Sequence, residues 1–180
     1  MELSATAYVI LGMLRHEPRS GYEIKQVVDN STRFFWAASY GQIYPELARL
    51  AKAGLVEGEP QPTGGRKRTV YKLTGAGRQE LRRWLDRLPE RLELRDEGLL
   101  KLFFAVAAAD RDKALEIIDA KQRLAEEKLA ALRNVEPVAL ATASKYSDPF
   151  PHMVLRYGVE MSEWVIAWCE RARDELRRAD

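Results

Sequence analysis

Apolar side chains recur at helical spacing in three segments of the first 54 residues. The first segment follows Ser4 and ends near Leu14, and the second follows Ser20, which is spaced to form a capping box with Glu23. The apolar contacts of the second segment are assigned to Tyr22, Ile24, Val27 and Val28. The third segment follows Ser39, and one of its faces carries Ile43, Leu47, Leu50 and Ala51. Three amphipathic helices are therefore predicted.

After Gly54, which can adopt the positive φ that ends a helix, the pattern changes to that of strands. Residues 56–59 and 68–73 are predicted strands, joined by a turn of proline and glycine at residues 60–65. Thr74 then caps a fourth predicted helix, whose apolar residues are Leu81, Trp84, Leu85 and Leu88. The order helix, helix, helix, strand, strand, helix is that of a winged helix-turn-helix.

Beyond Pro89 every strong pattern is helical, so a domain boundary is predicted there. The expected fold is mainly α. It comprises a winged helix-turn-helix domain with three helices and a two-stranded wing at residues 1–88, and an all-helical dimerisation domain at residues 90–180.

The helical domain has three apolar segments. The first, residues 99–106, is so densely apolar that burial by several neighbours is expected. A long helix is predicted from Asp110 to about Asn134, and a helical continuation after Pro137, at residues 139–143, stays open. The last helix, residues 152–178, carries an apolar band wider than packing on one neighbour requires, which favours a second copy of the chain as partner.

Charge is distributed unevenly along a chain whose formal net charge is +2. Residues 1–88 contain 14 lysines and arginines against 9 aspartates and glutamates, whereas residues 89–180 contain 15 against 18. The winged-helix half is therefore basic, as expected of a domain that attracts a polyanion. This excess is too common among proteins to identify a partner by itself.

Motifs for catalysis or metal binding are absent from the sequence. It has no phosphate-binding glycine loop, nucleophile elbow or carboxylate pair in an apolar setting, so neither an enzyme nor a cofactor is expected. His16 and His152 have no further ligand at metal spacing. No apolar run could span a bilayer, and the single cysteine, Cys169, cannot form an internal disulfide, so a cytoplasmic protein without a membrane partner is expected.

Two clusters are candidates for contact with double-stranded DNA. The solvent face of the third helix presents Tyr40, Gln42 and Tyr44. Gln42 can offer a donor and an acceptor to an adenine edge, and the tyrosines can contact phosphate or a thymine methyl. In the wing, two glycines are followed by the cations Arg66, Lys67 and Arg68, which are suited to contact phosphate or to enter the minor groove. Two alternatives stay open: the tyrosines are ordinary core or surface residues, and the charge run is merely solvated.

Aromatic residues near the C-terminus form a third candidate site. They could line a slot for a flat effector molecule, and they are Phe150, Tyr157, Trp164 and Trp168. Aromatic residues at helical spacing also serve as ordinary core or interface, and that alternative stays open.

Four short motifs stand in the order of the predicted elements. They are Ser20-Gly21-Tyr22-Glu23-Ile24, Gly41-Gln42-Ile43-Tyr44-Pro45, Gly54-Leu55-Val56 and Gly65-Arg66-x-Arg68-x-x-Tyr71. Through them, residues 3–88 resemble the PadR family of bacterial and archaeal transcriptional regulators. The helical remainder, with its Leu-Leu-Lys-Leu-Phe-Phe string at residues 99–104, resembles the C-terminal dimerisation domain of the virulence-activator branch of that family.

This resemblance implies a homodimer that places two recognition helices in successive major grooves of a pseudo-palindromic operator. It adds Ser39 to the groove-facing residues. It also implies a repressor, because many members of the family repress transcription and dissociate from DNA when they sense a small, often aromatic, molecule. The alternative is a winged-helix module that binds a protein partner and never contacts DNA.

Overall fold

The computed structural model describes residues 3–63, 66–89, 95–105 and 111–178, with the side chains of residues 62, 63, 66 and 67 outside the description. The chain divides into two compact units, residues 1–90 and 91–180. In chain order, the first unit contains α1 (Ala5–Met13), β1 (Arg19–Ser20), α2 (Gly21–Asp29), a 3-10 turn (Thr32–Phe34), α3 (Tyr40–Lys52), β2 (Val56–Thr63), β3 (Arg66–Leu73) and α4 (Gly75–Leu85).

The core of the first unit lies between α1, α2 and α3. The predicted stripe of α3 is confirmed, since Ile43, Leu47 and Leu50 are buried. They pack with buried residues of the other two helices, which include Ile10, Leu11, Ile24 and Val28. Burial of one apolar face of each helix leaves the opposite face of α3 in solvent.

The predicted caps of the first two helices are also confirmed. The Ala7 N–H donates to Ser4 Oγ at 3.1 Å. At the start of α2, the Glu23 N–H donates to Ser20 Oγ, and the Ser20 N–H donates back to Glu23 Oε2 at 2.8 Å. Both N-terminal turns thus satisfy backbone donors that lack a partner inside the helix.

The sheet is larger than the sequence predicted. β2 and β3 extend to residues 63 and 66, and β3 also pairs with β1, giving the antiparallel order β1-β3-β2. β1 has two residues, too few for an alternating pattern to reveal. The prolines at positions 60 and 62 did not end β2, because β2 lies at an edge of the sheet, where proline is tolerated.

A tight junction connects α3 to the wing and α4. Gly54 ends α3 with φ +68°, as predicted. The Thr74 hydroxyl donates to the Gly54 carbonyl at 2.8 Å and accepts from the Gly77 N–H at 3.0 Å. A Cβ atom on Gly77 would lie 2.1 Å from the Leu55 carbonyl oxygen, so only glycine allows this approach.

The prediction for α4 was wrong in part. The helix ends at Leu85, so Leu88 lies three residues beyond it, and both leucines are exposed. Trp84 stacks on Tyr8 of α1 with ring centroids 4.7 Å apart.

The second unit consists of α5 (Glu97–Phe103), α6 (Arg111–Tyr146) and α7 (Phe150–Arg178). The predicted end of the long helix near Asn134 was wrong, and the open alternative of continuation past Pro137 is confirmed. α7 packs along α6: a Cβ atom on Gly158 would meet Leu132 Cδ1 at 3.2 Å. Packing of this kind outweighs the loss of one backbone hydrogen bond at a proline.

Polar contacts hold these three helices together. Arg173 of α7 donates to Asp119 Oδ1 at 2.7 Å and to Gln122 Oε1 at 2.6 Å, and Lys121 pairs with Asp96 at the start of α5. Cys169 is a buried free thiol, and burial raises its pKa. None of the helices in the described ranges is both long and apolar enough to cross a bilayer.

The prediction that the segment at residues 99–106 is buried by several neighbours was wrong for a single chain. The apolar side chains of this segment that are exposed include Leu100, Phe103 and Phe104, whereas Val106 lies outside the described residues. Their density does predict burial, but one neighbouring helix, α6, covers only one side of α5.

Candidate nucleic-acid interface

The solvent face of α3 presents the residues that the sequence singled out. Ile43, Leu47 and Leu50 face the core, so Tyr40, Gln42 and Tyr44 lie on other sides of the helix, and all three are exposed. Exposed tyrosines at 42 % and 51 % exclude the alternative that they are core residues. This solvent face is therefore formed by α3 itself and requires no rearrangement of the core.

A third tyrosine, from α2, extends this face. Tyr22 stacks on Tyr40 with centroids 6.4 Å apart, and Tyr40 stacks on Tyr44 at 6.1 Å; we call Tyr22, Tyr40 and Tyr44 the tyrosine ladder. The assignment of Tyr22 to the apolar contacts of α2 was wrong, since it is 55 % exposed. Its position gave a signal, because it lies about 100° around the helix from buried Gly21.

Lys25 is a second residue that sequence reasoning missed. Its Nζ lies 5.5 Å from the centroid of the Tyr40 ring and also pairs with Asp29. A cation over an aromatic face is attracted by the ring quadrupole and limits the orientations of both groups. Lys25 thus helps to position Tyr40, while its own charge is paired with Asp29.

Gly21 allows Tyr44 to take its place in the ladder. A Cβ atom at Gly21 would lie 2.7 Å from Tyr44 Cε1 and 3.2 Å from Leu47 Cδ1, so the ring rests against the backbone of α2. The glycine of the Ser-Gly-Tyr-Glu motif is required here for close approach, and not for an unusual φ.

Gln42 and Ser39 are bonded to each other at the start of α3. The carboxamide Oε1 of Gln42 accepts from the Ser39 N–H at 2.9 Å and from the Ser39 hydroxyl at 3.1 Å. This is the capping-box spacing, serine followed three residues later by glutamine, and the sequence contained that signal. The hydrogen-bonding groups of Ser39 on this side therefore serve the helix, although Ser39 is exposed.

Arg68 is paired inside the protein. Its Nη2 donates to Glu23 Oε1 at 2.5 Å, while Glu23 Oε2 accepts from the N–H and hydroxyl of Ser20. Burial alone would raise the pKa of Glu23, but the hydrogen bonds from Ser20 and Arg68 hold this pKa below its ordinary value. Of the predicted wing cations, Arg68 thus connects β3 to α2.

The other two predicted wing cations stand at the far end of the hairpin. Arg66 pairs in register with Thr63, and Lys67 with Pro62, so their backbone lies at the end of the β2–β3 pairing; their side chains lie outside the described residues. Nearer the base, Lys72 contacts Glu59 at 2.6 Å and Glu57 at 3.3 Å, and these hydrogen bonds, the one to Glu59 first, raise its pKa.

The four candidate effector residues are not brought together. All lie on α7, and Phe150 and Trp168 are separated by 18 residues, which is about 27 Å along a helix. A single small ligand within one chain cannot contact both, so the predicted four-residue slot is wrong as a site within one chain. Phe150, Tyr157 and Trp164 are exposed on one face, and Trp168 is half-buried.

Two clefts found elsewhere are lined by charged and aliphatic side chains and lack these aromatics. One in the first unit is lined by Leu3, Ala53, Leu55, Glu80, Arg83 and Arg87. One in the second unit is lined by Lys101, Lys113, Glu116, Ile117, Asp119, Ala120 and Arg123. Within the described part of the chain, no three histidine, cysteine, aspartate or glutamate side chains are grouped to hold a metal ion.

Comparison with known proteins agrees with both units. Residues 10–83 match the family model described as the transcriptional regulator PadR-like family, and residues 94–177 match the model described as virulence activator alpha C-term. The chain is 31 % identical over 171 residues to the negative transcriptional regulator PadR of Bacillus subtilis (strain 168), with 91 % of this chain and 92 % of that protein covered.

Solved structures of similar proteins support the same assignment. The crystal structure of Bacillus subtilis PadR in complex with operator DNA matches with a TM-score of 0.85 and 30 % identity, covering 98 % of this chain and 99 % of that one. The structure of the same protein with p-coumaric acid matches with a TM-score of 0.77 and 29 % identity over the same shares. The predicted fold class and resemblance are thereby confirmed, and the chain belongs to the PadR-like family of transcriptional regulators.

Proposed function

We propose that this protein is a sequence-specific DNA-binding repressor that acts as a homodimer. The observation that carries the proposal is the solvent face of α3, where the tyrosine ladder and Gln42 are held in place and left exposed. In helix-turn-helix proteins the N-terminal residues of the recognition helix contact base edges. The similarity to a relative solved with operator DNA supports the same use of α3.

The wing supplies contacts of a different kind. Arg66 and Lys67, at the end of the hairpin, are proposed to contact phosphates or the minor groove, whereas Arg68 orients the wing through Glu23. Phosphate contacts contribute affinity for every sequence, and base contacts contribute discrimination between sequences. The two elements therefore make separable contributions.

Substitution of Lys67 tests this division. Lys67→Ala should weaken binding to operator and to unrelated DNA by similar factors, and should reduce the slope of log K against log salt by about one. Lys72→Ala is the matched control, because Lys72 is in the same strand and is paired with Glu57 and Glu59. Fluorescence anisotropy over a range of salt concentrations measures both slopes.

An unchanged slope for Lys67→Ala, or an equal reduction for Lys72→Ala, would contradict the proposed wing contact. Full-length protein that binds no duplex DNA at low salt would instead support the protein-interaction module as the function.

The dimer is proposed to form through α7. Its side chains Leu155, Ser162 and Cys169 are buried within the unit. The opposite face carries the α7 apolar band, defined as Phe150, Met153, Val154, Tyr157, Met161 and Trp164, all exposed in one chain. A continuous apolar band of four helical turns is typical of a helix that packs on a second chain.

A small aromatic acid is proposed as the effector that releases the operator. The observation that favours it is the similarity to the relative solved with p-coumaric acid. Addition of p-coumaric acid to the operator complex should raise its dissociation constant, with benzoic acid and an aliphatic acid of equal charge as comparisons. Equal effects of all three acids would contradict aromatic recognition.

A further inference from the structure

Ser39 determines which way the side-chain amide of Gln42 is oriented. A backbone N–H can only donate, so the atom of Gln42 that faces the Ser39 N–H must be the carbonyl oxygen and not the amide nitrogen. That oxygen also accepts from the Ser39 hydroxyl. A carboxamide oxygen has two lone pairs, and both are occupied in this arrangement.

We infer that Gln42 recognises DNA as a hydrogen-bond donor alone, through Nε2, and therefore selects a base that presents an acceptor in the major groove. The inference rests on the proposed function, because it requires α3 to lie in that groove. It corrects the expectation that Gln42 offers both a donor and an acceptor to adenine.

The base preference follows from the groove chemistry. Guanine presents acceptors at N7 and O6, adenine at N7 and thymine at O4, whereas cytosine presents only the N4 amino donor. A donor-only Gln42 is therefore compatible with guanine, adenine and thymine and is incompatible with cytosine on the contacted strand. Adenine would be bound through N7 only, and its N6 amino group would not contribute.

The position of Gln42 favours retention of this arrangement on DNA. It is in the first turn of α3, where the bond to Ser39 satisfies a backbone donor that has no partner within the helix. Tyr40 and Tyr44, which flank it in sequence, are positioned by stacking and by Lys25 and Gly21. Rotation of the amide to present its oxygen to a base would leave the Ser39 N–H opposite an NH₂ group.

The test removes single atoms from the DNA. An operator is first selected from random duplexes with the full-length protein, and each position of a half-site is then replaced. Acceptors are deleted with 7-deazaguanine, 7-deazaadenine or 5-methyl-2-pyrimidinone, and the adenine N6 amino group is deleted with unsubstituted purine. Acceptor deletion at one position should weaken binding about three- to tenfold, the range for one hydrogen bond, and amino-group deletion there should change it less than twofold.

Gln42→Glu is the variant that assigns this position to Gln42. Glutamate keeps the capping oxygen but has no N–H, so the variant should keep the wild-type Tm, lose the sensitivity to acceptor deletion and prefer cytosine at that position. Gln42→Ala is the comparison, because it removes the cap and the donor together and should lower both Tm and affinity.

The outcomes separate the two proposals. Sensitivity to the N6 amino group at the position that Gln42→Glu changes, or wild-type binding that is unaffected by every acceptor deletion, overturns the donor-only inference while the repressor function stands. Selection that enriches no sequence overturns the proposed function and this inference together.

Discussion

At the scale of single residues, the backbone of Gly21 positions the Tyr44 ring on the solvent face of α3. Gly21 is the first residue of α2, and Tyr44 lies against it from α3, although 23 positions of the sequence separate them. The ring is half exposed, so its orientation depends on the surface beneath it more than on burial in a core. Replacement of one hydrogen atom by a methyl group is sufficient to alter that surface.

Gly21→Ala is expected to lower operator affinity about three- to tenfold by displacing the Tyr44 ring, with a loss equivalent to one interface contact. The free energy of unfolding should change by less than about 1 kcal/mol, because the higher helix propensity of alanine offsets part of the steric clash between the new methyl group and Leu47. Anisotropy titrations and thermal unfolding measure the two effects.

Gly12→Ala is the matched control for this substitution. A Cβ atom at Gly12, within α1, meets no atom within 4 Å. The free energy of unfolding of the variant should therefore rise by about 0.5–1 kcal/mol, and its affinity for the operator should stay that of the wild type. Equal affinity of both variants for the operator would show that the position of Tyr44 does not matter.

At the scale of elements, Glu23 connects three of them through one carboxylate. Oε2 caps α2 and contacts Ser20, which also belongs to β1, while Oε1 holds Arg68 of β3. The wing is therefore oriented against the helix-turn-helix by an ion pair and by the β1-β3 pairing. The pair is about two-fifths exposed on each side, so its stabilisation is modest and is sensitive to salt.

Glu23→Gln is expected to keep the cap and remove the ion pair with Arg68. Because the folded pKa of Glu23 lies below its ordinary value, its stabilising contribution is present above the ordinary pKa and is lost as the pH falls through the folded pKa. The free energy of unfolding of the wild type should thus exceed that of the variant by up to about 1 kcal/mol at pH 7, and the difference should disappear at acidic pH.

Urea unfolding between pH 7 and pH 3 measures this difference. In an Arg68→Ala background, replacement of Glu23 by glutamine should have a smaller effect, as a double-mutant cycle would report. A stability difference between the wild type and the Glu23→Gln variant that is independent of pH would contradict the assigned role of the carboxylate.

At the scale of the whole molecule, the proposed activity depends on a second chain. A single recognition helix reads about half of a pseudo-palindromic operator, and affinity for the whole site requires two helices held one helical repeat apart. The α7 apolar band, exposed in one chain, is the surface proposed to supply that pairing. The aromatic residues predicted for effector binding include three members of this band.

Tyr157→Arg combined with Trp164→Arg should convert the dimer to a monomer at micromolar concentration and reduce operator affinity at least tenfold, because two charges would be buried without partners. Helical content should persist, since both side chains are exposed in one chain. Sedimentation velocity, circular dichroism and anisotropy report the three properties.

Glu170→Arg is the control for this pair of substitutions. It adds an arginine to an exposed position of α7 that lies six residues past the band and about 120° around the helix from Trp164, and it should leave the dimer intact. A double variant that remains dimeric would place the interface elsewhere.

The sequence alone determined the features that depend on residues within about four positions of each other. Ser20 and Glu23 predicted a capping box, Gly54 predicted the end of α3, and the spacing of Ile43 and Leu47 predicted the buried face. Helical periodicity, caps and positive φ are local properties, so a linear pattern contains them. The Gln42 cap was local as well, and only its consequence for recognition required the structure.

The tertiary structure decided the contacts between distant residues. Arg68 and Glu23 are 45 positions apart, and nothing in the basic run at residues 66–68 marks Arg68 as the partner of Glu23. Likewise, β1 is too short to form a pattern, and local spacing predicts apolar packing for Tyr22, which is exposed and stacks on Tyr40. Such contacts depend on how the folded chain brings separate elements together, which local spacing does not encode.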